Sequence, residues 1–138
     1  MMRTSVVAWI LVGLIGLSVG AAPLHPDELL GTWGNVDTLA SGLAEVKIAT
    51  SPGGGLDIYG FGVCTPSFCE WGPTPLVLAS MPPGYVNEWG VAIWDLDPWM
   101  AVMFLRREGP FLVAEIIGYF TDGTGLPMRE IVLLRQIE

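Results

Sequence analysis

The sequence predicts an all-β domain, a single antiparallel eight-stranded up-and-down barrel preceded by a signal-peptide helix. Three observations predict it. After residue 29 no stretch keeps a helical apolar period of useful length. The same region breaks into short runs rich in Val, Ile, Leu and aromatic residues, separated by Gly, Pro, Asp and Asn. There are eight such runs, and eight is a number at which a meander closes on itself and loses its exposed edges.

The elements follow in order. Pro26-Asp27-Glu28-Leu29-Leu30 suits one helical turn leading into the domain, because proline tolerates a first turn. Strands are expected at 31–37, 43–50, 55–63, 74–80, 89–95, 100–108, 111–121 and 128–137. Between them lie turn sequences: Ser51-Pro52-Gly53-Gly54, Met81-Pro82-Pro83-Gly84, Asp97-Pro98, Glu108-Gly109-Pro110 and Asp122-Gly123-Thr124-Gly125. Val46 and Ile48 alternate with Glu45 and Lys47, the pattern of a half-buried strand. Ala101–Leu105 and Ile131–Leu134 are instead apolar on both faces. Either an outer wall covered by a partner or simple crowding of small strands produces that pattern.

The chain opens with Met1-Met2-Arg3-Thr4-Ser5, an apolar run from Val6 to Val19, and the small residues Gly20-Ala21-Ala22 before Pro23. A positive start, a short apolar middle and a small-residue exit define a signal peptide. The run is also short of the roughly 20 apolar residues a spanning helix needs. The expected division is therefore a leader at 1–22 and a barrel domain at 23–138, secreted or periplasmic; the alternative is an uncleaved anchor, with membrane contact through that segment only. Without Arg3 the domain keeps five basic residues against 14 acidic ones, a net charge of −9. Such a field repels phosphate, which argues against nucleic acid or an anionic membrane surface as partner. With 51% apolar and 14% charged residues, the composition is that of a folded domain, not a disordered chain.

Leu30-Gly31-Thr32-Trp33-Gly34-Asn35 resembles the opening strand of the calycin barrels, the lipocalin and avidin group, which share Gly-x-Trp at that point. In that group the tryptophan packs against a basic residue of the last strand. The resemblance therefore implies that Arg135 covers Trp33 through a cation–π contact of about 0.5–2 kcal/mol.

The most specific segment is Gly62-Val63-Cys64-Thr65-Pro66-Ser67-Phe68-Cys69-Glu70-Trp71-Gly72. Two cysteines flanking a proline turn in an exported domain read as a disulfide, Cys64 to Cys69. Metal binding is the sharper alternative, but a structural zinc takes four ligands and the other soft ligand, His25, sits beside the cleavage point. No cofactor is expected. The segment resembles the Gly-x-Cys-x-Pro-x-x-Cys-Asp/Glu-Trp-Gly loop of a group of small secreted bacterial proteins of uncharacterised function. Their domains open Leu-x-Gly-x-Trp-x-Asn-x-Asp, as Leu29–Asp37 does, and close with a hairpin like Phe120-Thr121-Asp122-Gly123-Thr124-Gly125. The likeness implies a fold more than an activity. Members often carry His after the first cysteine and Asp before the second; Thr65 and Phe68 stand there instead, removing groups that metal or acid–base chemistry would use.

The remaining candidates are binding residues. Trp33, Asn35 and Asp37 alternate onto one face of the first strand, which would place the Asn35 amide inside the barrel as a ligand donor or a backbone tie. Tyr59 and Phe61 share a face of the third strand, and Trp89, Trp94 and Trp99 surround the fifth. Asn35, Tyr59, Phe61 and Trp94 are thus the expected lining of a cup for a small, largely apolar molecule, unless they simply fill it. The second expectation is an envelope protein as partner, met through the cysteine loop and the Met81–Gly84 turn. Asp95 and Asp97 read as a solvated turn rather than a calcium site, which needs six or more oxygens. Glu115 lies in an apolar run, with Arg106 as a possible neutralising partner. No nucleophile–His–acid set is present, so no enzymatic activity is expected; a hydrolase built on carboxylates such as Glu115 and Asp57 is the third reading.

Overall fold

The computed structural model describes residues 23–64, 67–80 and 87–138. The expected leader, the tip of the cysteine loop and the Met81–Gly84 turn lie outside the described residues. A short helix, α1 (Pro26–Leu29), precedes eight strands: β1 (Gly31–Asn35), β2 (Leu43–Thr50), β3 (Leu56–Val63), β4 (Phe68–Ala79), β5 (Trp89–Asp95), β6 (Trp99–Glu108), β7 (Phe111–Phe120) and β8 (Met128–Gln136). Each pairs antiparallel with the next, and β1 pairs with β8, closing an up-and-down barrel. Closure pairs the first and last strands, which would otherwise be open edges.

The period of two decides what each strand contributes. Val46 and Ile48 of β2, Leu56 and Ile58 of β3, Ala101, Met103 and Leu105 of β6, Leu112, Ala114 and Ile116 of β7, and Val132 and Leu134 of β8 all point inward and are buried. Their aliphatic side chains fill the barrel, and among the described residues no buried polar or charged residue interrupts them. One end is stoppered. Leu24 and Leu29 are buried beneath the chain entering β1; the Leu24 N–H donates to the Asn87 carbonyl at 2.7 Å, and Arg107 at the end of β6 forms an ion pair with Glu28 of α1. Gly31, at φ +116, lets the chain turn from this stopper into β1.

Strand β4 starts six residues earlier than the sequence suggests, at Phe68 rather than 74. Pro73 and Pro75 both lie in the β3 ladder, Pro73 opposite Tyr59 and Pro75 opposite Asp57. They are tolerated because β4 pairs with β5 by backbone only from Val77 to Ala79, so the prolines border no second ladder that needs their missing N–H. Trp71 is the extra residue of a bulge opposite Gly60 and Phe61, with Gly72 at φ +78 turning it.

The expected cover of Arg135 over Trp33 does not form. Trp33 lies opposite Gln136, while Arg135 lies opposite Gly34 and is exposed on the outer wall. A one-residue difference in position puts a side chain on the other face. The Trp33 indole N–H instead donates to the Leu29 carbonyl at 2.9 Å, and the Gln136 amide donates to the Leu30 carbonyl at 2.9 Å. Trp33 thus anchors the stopper.

Candidate functional site

The other end of the barrel is open and is built around three tryptophans. Trp71 projects inward from the β4 bulge, Trp94 from β5 and Trp99 from the start of β6. Trp71 meets Trp94 edge-to-face at 5.4 Å between ring centroids and Trp99 at 5.2 Å. Three glycines make the room. A Cβ on Gly60 would come within 2.5 Å of the Trp71 ring, one on Gly62 within 3.1 Å, and one on Gly118 within 2.9 Å of Trp99. Sequence reasoning singled out Trp94 and Trp99 but missed Trp71. The signal was Gly60-x-Gly62, two glycines on one face of a strand facing Cys69-Glu70-Trp71, which leaves space only a large ring would fill.

The expected lining residues are not brought together. Trp94 faces inward and is buried, and its indole N–H donates to the Gly72 carbonyl at 2.9 Å. Asn35 is half-buried, but its amide is spent on the chain: it donates to the Leu43 carbonyl at 2.8 Å and accepts the Asp37 N–H at 2.8 Å. It ties the β1–β2 connection. Tyr59 and Phe61 do share a face, but it is the outer one, because Ile58, Gly60 and Gly62 take the inner positions of β3. Among the described residues the middle of the barrel is occupied by buried aliphatic side chains, not by this expected set.

At the tryptophan end the barrel is indented. A cleft of about 270 Å³ is bounded by Leu43, Trp71, Trp99, Ile116, Met128 and Glu130, with the Cys64–Cys69 disulfide on its rim. The disulfide spans 5.5 Å between Cα atoms and fixes the β3–β4 connection beside Trp71. Glu130 is the charged residue of this lining, and both its oxygens accept the Leu43 N–H, at 3.3 Å. Among the described residues no cluster of three or more ligating side chains is suited to a metal ion.

The outer wall is the second feature. Across β4–β8 the outward positions are largely apolar: Val77 is 59% exposed, Ile93 50%, Ile117 37%, Ile131 57% and Leu133 38%. The register makes them neighbours, with Val77, Val91, Phe104, Glu115 and Ile131 in one row and Ile93, Val102, Ile117 and Arg129 in the next. Within these two rows the charges match each other. Arg129, not Arg106, neutralises Glu115, at 2.8 Å; Arg106 pairs with Glu108 and lies 5.9 Å from the Trp89 ring centroid. A groove of about 480 Å³ runs over Trp89, Val91 and Phe104. On the opposite side β2 and β3 present Glu45, Lys47 and Asp57. Asp95 and Asp97 are exposed in a turn where the Asp97 N–H donates to the Asp95 carboxylate at 3.3 Å.

Comparison with known proteins finds no match to a family model, to a curated protein or to a solved structure. The resemblances carried by Gly-x-Trp and the cysteine loop thus come with no family assignment. The disulfide is compatible with an oxidising, extracellular compartment. Among the described residues no helix is long and apolar enough to cross a membrane.

Proposed function

We propose that this protein is an exported binding module that works through the outside of its barrel, docking an envelope protein on the β4–β8 wall. The observation that carries the reading is the inversion of the usual arrangement for a ligand-carrying barrel: the inside is filled and the outside is apolar. Contiguous exposed apolar surface of this kind marks an interaction site. The groove over Trp89 and Phe104 would take an apolar anchor from the partner, since anchors in pockets dominate interface energies. Glu115 and Arg129, within the wall, pair with each other, while the molecule as a whole is acidic. The partner therefore has an apolar centre and a basic rim. A membrane-spanning barrel fits less well, because it needs an apolar band around its whole circumference and a polar lumen.

The test is a photo-crosslinking residue placed at Val77 or Ile131 in the producing cell, with Lys47 and Asp57 as controls on the far wall. The expected result is one stoichiometric protein adduct from the wall positions alone. The purified partner should then bind saturably, and Ile131→Lys should abolish that binding without unfolding the barrel. Equal labelling from both walls, adducts only with lipid, or an adduct of two copies of this chain would overturn the reading. The open mouth favours a second reading, small-molecule binding, at the barrel end rather than in its centre.

A further inference from the structure

We propose that the open mouth binds a small organic ammonium ion, with Glu130 as its counter-charge and Trp71 and Trp99 as its aromatic walls. The inference rests on the small-molecule reading of the mouth and is independent of the docking wall.

Glu130 sits on the inner face of β8, opposite buried Ile116, whereas its neighbour Arg129 faces outward to Glu115. Gly42 leaves the space its carboxylate occupies; a side chain there would overlap both oxygens. An ionised carboxylate offers about four acceptor sites. Among the described residues only the Leu43 N–H, at a long 3.3 Å, engages them, and no lysine or arginine pairs with Glu130. A negative charge is thus held at the edge of a largely apolar cleft.

The tryptophans divide in a telling way. Trp33 and Trp94 spend their indole N–H groups on backbone carbonyls. Trp71 and Trp99 line the cleft, and no hydrogen bond engages either indole among the described residues.

Four ligand classes can be weighed against this lining. An anion meets Glu130 and the acidic field of the whole chain. A neutral apolar molecule would desolvate the carboxylate without replacing its water, a cost of at least about 1–3 kcal/mol for a polar group. A calcium ion wants six to eight oxygens and finds one carboxylate. An alkylammonium needs one counter-charge, aromatic rings for the cation and apolar contacts for its substituents, and the mouth supplies all three. A cleft of about 270 Å³ lies just below the range of roughly 300–1,000 Å³ typical of drug-sized sites, so the ligand is small.

The experiment titrates the disulfide-intact mature chain with choline and with its neutral carbon isostere, 3,3-dimethyl-1-butanol, following the indole N–H resonances by NMR. Choline should shift Trp71 and Trp99 saturably and leave Trp33 unmoved. The alcohol, and choline against Glu130→Gln, should each bind at least about tenfold more weakly. Glu45→Gln, on the β2 side away from the mouth and the docking wall, should leave choline binding unchanged. Trp99→Leu, checked for folding by circular dichroism, should weaken choline binding independently of Glu130. Equal affinity for alcohol and ammonium, unchanged binding by Glu130→Gln, or no saturable shift of Trp71 and Trp99 overturns the proposal. None of these outcomes bears on the wall, whose crosslinking partner stands or falls separately.

Discussion

The indole N–H of Trp94 donates to the carbonyl of Gly72 at 2.9 Å, across the stretch where β4 and β5 have no backbone ladder. Next to it the Thr74 hydroxyl donates to the Ile93 carbonyl at 2.6 Å. Two side chains thus close the barrel where two backbones do not. Trp94→Phe should lower stability by about 1–3 kcal/mol, since it leaves a part-buried carbonyl unpaired. Thr74→Val should cost less, about 0.5–1.5 kcal/mol. Urea titration checks both: the midpoint should fall and the slope should hold.

Gly60 and Gly62 are the bed on which Trp71 lies. Gly60→Ala should therefore destabilise by about 1–3 kcal/mol, through overpacking. Trp71→Leu should also destabilise, by removing two edge-to-face contacts worth about 0.5–1.5 kcal/mol each as well as buried area. Combined, the two changes should cost less than their sum, because the smaller side chain makes room for the methyl group. A double-mutant cycle measures that coupling.

The Cys64–Cys69 bridge joins residues only five positions apart. A loop that short yields about 2 kcal/mol at most on the chain-entropy account. Replacing both cysteines by serine should thus leave a folded barrel with an intact far-ultraviolet spectrum and a modestly lower melting temperature. Amide exchange should quicken around Phe68 and Trp71 and remain unchanged in β6 and β7.

Asp122 in the β7–β8 hairpin accepts the Thr124 hydroxyl at 2.7 Å and the Thr124 N–H at 3.0 Å. These bonds, the hydroxyl first, hold its carboxyl below the ordinary 3.8. A depressed carboxylate stabilises the fold above its unfolded pKa, and that contribution is lost as pH falls through the folded value. The hairpin should therefore loosen only in the acid range below 3.8. An NMR titration of Asp122 checks this, and Thr124→Val should return its pKa toward the ordinary value.

The stopper makes a complementary prediction. Leu29→Ala empties a fully buried site beneath Trp33 and should cost about 2–5 kcal/mol. Arg107→Ala removes only a partly exposed ion pair with Glu28, and should cost no more than about 1 kcal/mol. Comparing the two melting temperatures separates packing from charge as the source of the stopper's hold.

Much of the architecture was legible because its signals are local. Runs of β-branched and aromatic residues, broken by Gly and Pro, marked eight strands, and seven of them begin and end within two residues of the expected limits. Val46 and Ile48 announced the inner face of β2 by alternating with charged residues. The apolar stretches Ala101–Leu105 and Ile131–Leu134 correctly signalled an apolar outer wall as well as an apolar core. The spacing of Cys64 and Cys69 around a proline turn announced the disulfide. The start of β4 was not legible, because Gly72 and Pro73 interrupt a strand only where both of its sides must be paired.

Facing was decided by closure. Periodicity puts Tyr59 with Phe61, and Trp33 with Asn35, on common faces, but it does not say which face turns inward. That depends on which residues neighbouring strands place opposite, and in β3 the inner positions went to Ile58, Gly60 and Gly62 so that Trp71 could enter. One step of register likewise sent Arg135 outward and left Gln136 beside Trp33. The sequence by itself determined the strands, the disulfide and the amount of apolar surface to be covered. Only the tertiary structure decided that this surface fills the barrel and clothes β4–β8 as well, because inside and outside are properties of the closed sheet, not of any strand within it.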